Sequence, residues 1–230
     1  MVVKKLPLSG SEVPYTWKPW GSSGLHVDNC YAYAVGDHAN YRNNKSVPGN
    51  RSGLSSVFHT YRNCKGLAKR VISDNPKKVY KVKPDTPCRK NFYKIMMFVA
   101  PTNKYMNSTG DFHFYKQHGL IDYRVRKSDT RGSIAKFFKI PISRIKAPLA
   151  SPGKIIKIKA NVWSHKMGWA TGPLLYDAKN KSIIDPRKAN RNYGYKYTKY
   201  CSSFCVKNKG IDVDAPKNSK VRHNLMKFFK

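Results

Sequence analysis

The pattern of apolar and polar residues predicts strands most clearly in three stretches: KKVYKVK at 77–83, NFYKIMMFVA at 91–100 and DFHFYKQ at 111–117. The first and third have the period of two that predicts a strand, and the second reads as a buried strand. Upstream, residues 28–41 predict a short helix, with Asp28 as N-cap and Tyr31, Ala32, Ala34 and Val35 on its buried face. A second helix is expected over 54–72, with 42–53 as loop. Residues 1–23, rich in Pro, Gly and Ser with three aromatics, predict an ordered arm. Near the other end, LLYDAKNKSIIDP predicts a hairpin turning at 179–181. One more aromatic strand follows, then a basic tail tipped by Leu225, Met226, Phe228 and Phe229 that suits docking on a partner.

The texture changes at 122–160, DYRVRKSDTRGSIAKFFKIPISRIKAPLASPGKIIKIKA. It predicts strand, capped helix, second short helix, turn and strand. Ser128 or Asp129 would cap the first helix, and Ile134, Phe137 and Phe138 would form its apolar face. Ile142 and Ile145 mark the second helix. Through YRVRKSDT, IAKFFKI and SPGKIIKI the segment resembles a LysM module, a β-α-α-β unit that binds N-acetylglucosamine-containing glycans. The resemblance implies a sugar held between two loops, at Ser128, Asp129, Thr130 and Leu149. A competing expectation is a helix-turn-helix whose second helix enters a DNA major groove.

Charge then narrows the partners. The chain of 230 residues carries 45 Lys plus Arg against 12 Asp plus Glu, a formal net charge of +33 spread along its whole length. Such self-repulsion calls for an anionic partner: nucleic acid, an anionic membrane surface, an acidic wall polymer or an acidic protein shell. With 15 Tyr, 10 Phe and 4 Trp the chain can build a core, unlike a disordered basic tail. No signal peptide is read at the start, and the longest apolar run, 95–100, is far too short to cross a bilayer. Five cysteines, an odd number, predict reduced thiols. Cys64, Cys88, Cys201 and Cys205 lack the paired spacing of zinc knuckles, and no Gly-rich phosphate loop or carboxylate pair is present. No cofactor or metal is therefore expected.

One chemical motif stands out. In DNCYAYA, Cys30 opens the first predicted helix, where backbone amides and an imidazole partner could lower a thiol pKa. The simpler alternative is a small buried residue on a helix face. Together with DFHFYK, WSHK and DPRKANR, the motif resembles papain-like cysteine hydrolases, and also a group of uncharacterised proteins of bacteria and large DNA viruses. That resemblance implies Cys30 as nucleophile, His113 as base, and Asp185 or Asp177 as orienter. His165 is the rival base or third member.

The expected architecture is α+β: a papain-like helix on an antiparallel sheet, formed by 1–121 and 161–230, with a LysM-like insertion at 122–160. The leading functional expectation is a basic, virion-associated structural protein, a minor capsid component of a large DNA virus. It would bind capsid or other acidic structural proteins, genome or an inner membrane surface. The alternatives are a cysteine hydrolase of cell-wall material, with glycan on the LysM-like module, and a nucleic-acid-binding protein.

Overall fold

A computed structural model describes residues 5–16, 28–38, 45–54, 63–101 and 110–214. The protein is α+β, built on a six-stranded antiparallel sheet with few helices. In chain order its strands are β1 (Val79–Val82), β2 (Phe92–Ala100), β3 (Asp111–Arg124), β4 (Ile155–Lys166), β5 (Pro173–Leu174) and, after a separate β6–β7 ribbon (Asn192–Tyr193 and Tyr195–Lys196), β8 (Lys199–Lys207). The order across the sheet is β1-β8-β2-β3-β4-β5, so the last strand slots between the first two.

The sheet is covered on both faces. On one lie α1 (Cys30–Val35) and α2 (Cys64–Asp74), packed on Ile95, Met97, Val99, Phe112, Phe114, Phe204 and Val206. The other face holds Met96, Phe98, Tyr115 and Trp163 under Ile183 and Tyr197 from the chain between β5 and β8. Double coverage explains why all nine residues of β2 are buried.

Helix α1 is shorter than expected. Its N-cap is Asn29 rather than Asp28, with Asn29 accepting from the amides of Tyr31 and Ala32. It ends at Gly36, whose φ of 79° is the left-handed geometry a C-cap glycine supplies. Helix α2 begins ten residues after the expected start; 55–62 lie outside the described residues, as do 17–27, 39–44 and the tail from 215 with its apolar tip. From the N-terminal arm, Tyr15 bridges Ile121 in parallel and Leu6 is buried beneath the second face.

Two expectations about cysteine and about helices are corrected. Four cysteines are paired, Cys64 with Cys201 and Cys88 with Cys205, leaving Cys30 free. The odd count concealed an even set of four, joined across 137 and 117 residues of sequence. Residues 122–160 form a strand end, α3 (Arg131–Phe138), a three-residue 3-10 turn (Ile142–Arg144) and a strand start. One such turn is too short to serve as the recognition helix of a helix-turn-helix. The segment's Ile134, Phe138, Ile140, Ile145 and Ile158 pack in one cluster with Tyr15, Ile121, Val162, Leu175 and Ile184 from the rest of the chain. Its expected boundaries fall inside β3 and β4, which continue from this end into the main sheet with one register shift between His118 and Leu120. Among the described residues no helix is long and apolar enough to cross a membrane.

Candidate functional site

Cys30 occupies the first position of α1 and is 4% exposed. Its thiol donates to the Phe112 carbonyl at 3.7 Å, and the Phe114 amide also bonds to the sulfur. β4 pairs with β3 only from Tyr115 onward, short of these two groups. The sulfur therefore fills the gap where β4 leaves β3, against the backbone on either side of His113.

The His113 ring goes the other way. Phe112 and Phe114 face α1, so alternation turns His113 to the opposite layer with Tyr115. A base for Cys30, the role the resemblance implies for His113, would have to face α1, and the ring faces away from it. There its Nε2 lies 2.9 Å from Nδ1 of His165, whose Nε2 is 3.0 Å from the Tyr176 carbonyl. A carbonyl can only accept, so His165 carries its proton on Nε2 and His113 donates to His165. The pair is walled by Tyr197, stacked on His113 at 4.7 Å, and by Tyr193, 4.6 Å from His165. Burial drives both imidazoles to the neutral form: His113 is pushed well below its ordinary value and His165 down to about 4.

Burial also governs the thiol. It pushes Cys30 up to about 12, the nearby Asp111 carboxylate adding to the effect and Lys45 opposing it. The resting sulfur is a protonated thiol at neutral pH.

Asp185 belongs to neither group. It accepts from the Arg187 amide at the head of a 3-10 turn and pairs with the Arg187 guanidinium at 2.7 Å. Asp177 accepts from the amides of Lys179, Lys181 and Asn190, which builds the turn expected at 179–181. Of the expected set, the structure joins His113 to His165, places Cys30 on the same strand's backbone, and engages both aspartates elsewhere.

The residues expected to hold a sugar are also separated. Thr130, not Ser128 or Asp129, caps α3, in a reciprocal box with Ser133. Asp129 accepts from the Tyr123 hydroxyl and the Arg126 amide. Leu149 lines a groove bounded by residues 144–146, 148–150 and 156–158, with none of Ser128, Asp129 or Thr130 among its walls.

Sequence reasoning missed a second buried polar cluster on the α1 face. Tyr33 donates to Ser164 at 2.5 Å, Ser164 donates to Nε2 of His118 at 2.7 Å, and His118 donates through Nδ1 to the Val13 carbonyl. Beside it, the Lys116 ammonium lies 4.8 Å from the centre of the Tyr93 ring and 5.5 Å from that of Tyr33. Desolvation lowers its pKa to about 8. The polar letters of KQH at 116–118 gave no hint of burial, because both sheet faces are covered there.

A wider pattern concerns the acids. Glu12 accepts from Ser9 and Gly10 amides, Asp37 from the Val213 amide, and Asp74 from Tyr31, Gly49 and Ser52. Asp111 accepts from the Tyr197 hydroxyl. Asp28 faces His38 at 2.6 Å. Among the described residues, Arg51 pairs with Asp212, and Arg187 with Asp85 and Asp185. No group of three or more His, Cys, Asp or Glu able to hold a metal ion occurs among the described residues. Comparison with protein-family models, with curated proteins and with solved structures finds no match to this chain.

Proposed function

We propose that this protein is a basic structural component of an assembly, a minor capsid protein of a large DNA virus whose charge is neutralised by an acidic partner. One observation carries this: 45 Lys plus Arg stand against 12 Asp plus Glu, so an excess of 33 positive charges has no acid of its own chain to neutralise it and calls for a polyanionic surface. The closed thiol supports a holding role over turnover. Two tests apply. The protein should occur in stoichiometric amounts in purified particles and be released by salt. The purified chain should bind polyaspartate with an affinity that falls steeply as sodium chloride rises. A soluble monomer absent from particles, or polyanion binding that is absent or salt-insensitive, overturns the proposal.

A second function, cysteine hydrolase, is favoured by the relay from His113 through His165 to the Tyr176 carbonyl, laid beside the strand backbone that holds Cys30. It requires the sulfur to leave the Phe112 carbonyl and meet an imidazole. Its test is thiol chemistry. With a pKa of about 12, folded Cys30 should react with a maleimide at pH 7 at least about 100-fold more slowly than the unfolded chain. Prompt labelling of folded protein, with peptide or amide turnover lost in Cys30→Ala, would establish the hydrolase instead.

A further inference from the structure

The groove beside Leu149 has an unusual composition for so cationic a chain. It encloses about 410 Å³ and its floor is aliphatic: Ile145, Pro148, Leu149, Ile156 and Ile158. Arg144, Lys146 and Lys157 stand exposed among its walls. No carboxylate and no aromatic ring lines it. Two further apolar residues of this end of the molecule, Ile142 at 52% and Ile155 at 38%, are exposed.

That composition separates the candidate ligands. Single-stranded nucleic acid binds through bases stacked on aromatic rings, and none is present here. A sugar needs directional polar groups to fix its hydroxyls, which an aliphatic floor does not supply. An aliphatic side chain flanked by carboxylates satisfies both the floor and the rim.

The geometry points to a docking groove for an acidic protein segment that inserts one aliphatic side chain over Leu149 and Ile156, its flanking carboxylates meeting Arg144 and Lys146. This names the partner for the assembly function proposed above and rests on it. Bulk charge supplies attraction, and the groove supplies selection among acidic surfaces.

The experiment uses the full chain and three fluorescent probes of equal net charge: an acidic peptide with one central leucine, the same peptide with glycine in its place, and a single-stranded oligonucleotide. The leucine peptide should bind at least about tenfold more tightly than the glycine peptide, the effect of burying one such side chain. Leu149→Glu should erase that preference while the glycine peptide still binds, with near-UV circular dichroism reporting an intact fold. Lys146→Glu, an exposed change, should weaken the leucine peptide several-fold. Equal binding of the two peptides, a preference that survives Leu149→Glu, or an oligonucleotide that binds as tightly as the leucine peptide overturns the groove. If neither peptide binds at all, the polyanion-binding function fails, and the groove fails with it.

Discussion

The ribbon formed by β3 and β4 passes through two environments. In its inner half, residues 111–118 and 161–166 are nearly all buried, because α1 covers one face and the chain before β8 covers the other. In its outer half, Ile158 and Ala160 are buried while Ile155, Lys157 and Lys159 are exposed, the alternation of a strand covered on one face by α3. The same pair of strands thus closes its polar groups inward at one end and presents cations at the other. In the inner half, buried imidazoles and hydroxyls bond one another and backbone carbonyls, and the thiol bonds the strand backbone. In the outer half, cations line a groove with no carboxylate in its walls. Chemistry that looks catalytic by residue type is enclosed, and chemistry that looks like ordinary surface is where a partner can reach.

The largest test of this division is reduction of the disulfides. Both tie β8 to the rest of the inner region, and bridges closing loops of 137 and 117 residues constrain the unfolded chain. Each should contribute on the order of 5 kcal/mol by loop entropy, with native contacts and residual unfolded structure reducing the measured figure. Denaturant unfolding of Cys88→Ala/Cys205→Ala against the parent chain measures it. Hydrogen exchange should quicken first in β8 and β2 and only later in α3. Exchange that quickens equally in α3 would show the two ends to be one cooperative unit.

Acid gives the next largest effect. His113, His118 and His165 all lie in the inner half, and 122–160 contains no histidine. Each is held neutral by burial, His118 down to about 3 and His165 to about 4. Below about pH 6.5 the unfolded chain binds protons that the folded chain refuses, so these groups destabilise the fold as pH falls. Above pH 7 they contribute nothing to the pH dependence. His165 alone accounts for about 3 kcal/mol between pH 6.5 and 4, at about 1.4 kcal/mol per pH unit. Denaturant midpoints across that range should fall steeply, and His165→Gln should flatten the slope. A stability flat from pH 7 to 4 would mean that water reaches the pair.

Much of the sheet was legible because β1 and the start of β3 alternate with a period of two and β2 is a short apolar run. The β1-β8-β2 order was not, since pairing across more than a hundred residues leaves no local trace. The site failed for a related reason. DFHFYKQ shows correctly that Phe112 and Phe114 share a face and His113 takes the other, but with both faces buried nothing in the letters says which one meets α1. The histidine pairing depends on the register that sets Tyr115 opposite His165. The disulfides were hidden by the fifth cysteine, and each predicted cap missed by one or two positions, because Asp28, Asn29, Ser128, Asp129 and Thr130 are all competent caps.

That last ambiguity yields the smallest and most local test. Thr130 accepts from the Ser133 amide at 3.0 Å, and Ser133 accepts in return from the Thr130 amide at 2.9 Å. Both groups are largely solvated, so Thr130→Ala should cost about 1 kcal/mol, the usual value of a cap. Asp129→Asn keeps a side-chain acceptor for the Tyr123 hydroxyl and the Arg126 amide, and should cost less. The informative quantity is where the loss is felt. If the outer half opens independently, Thr130→Ala should speed amide exchange in α3 by about fivefold and leave β2 and β8 unchanged. The arithmetic is direct: 1 kcal/mol is about a fivefold shift in an opening equilibrium at 25 °C. Slowed or unchanged exchange in α3 would place the cap elsewhere. An equal acceleration in β8 would show that α3 opens only with the whole sheet, and the outer end would then be an extension of the core that happens to carry a groove.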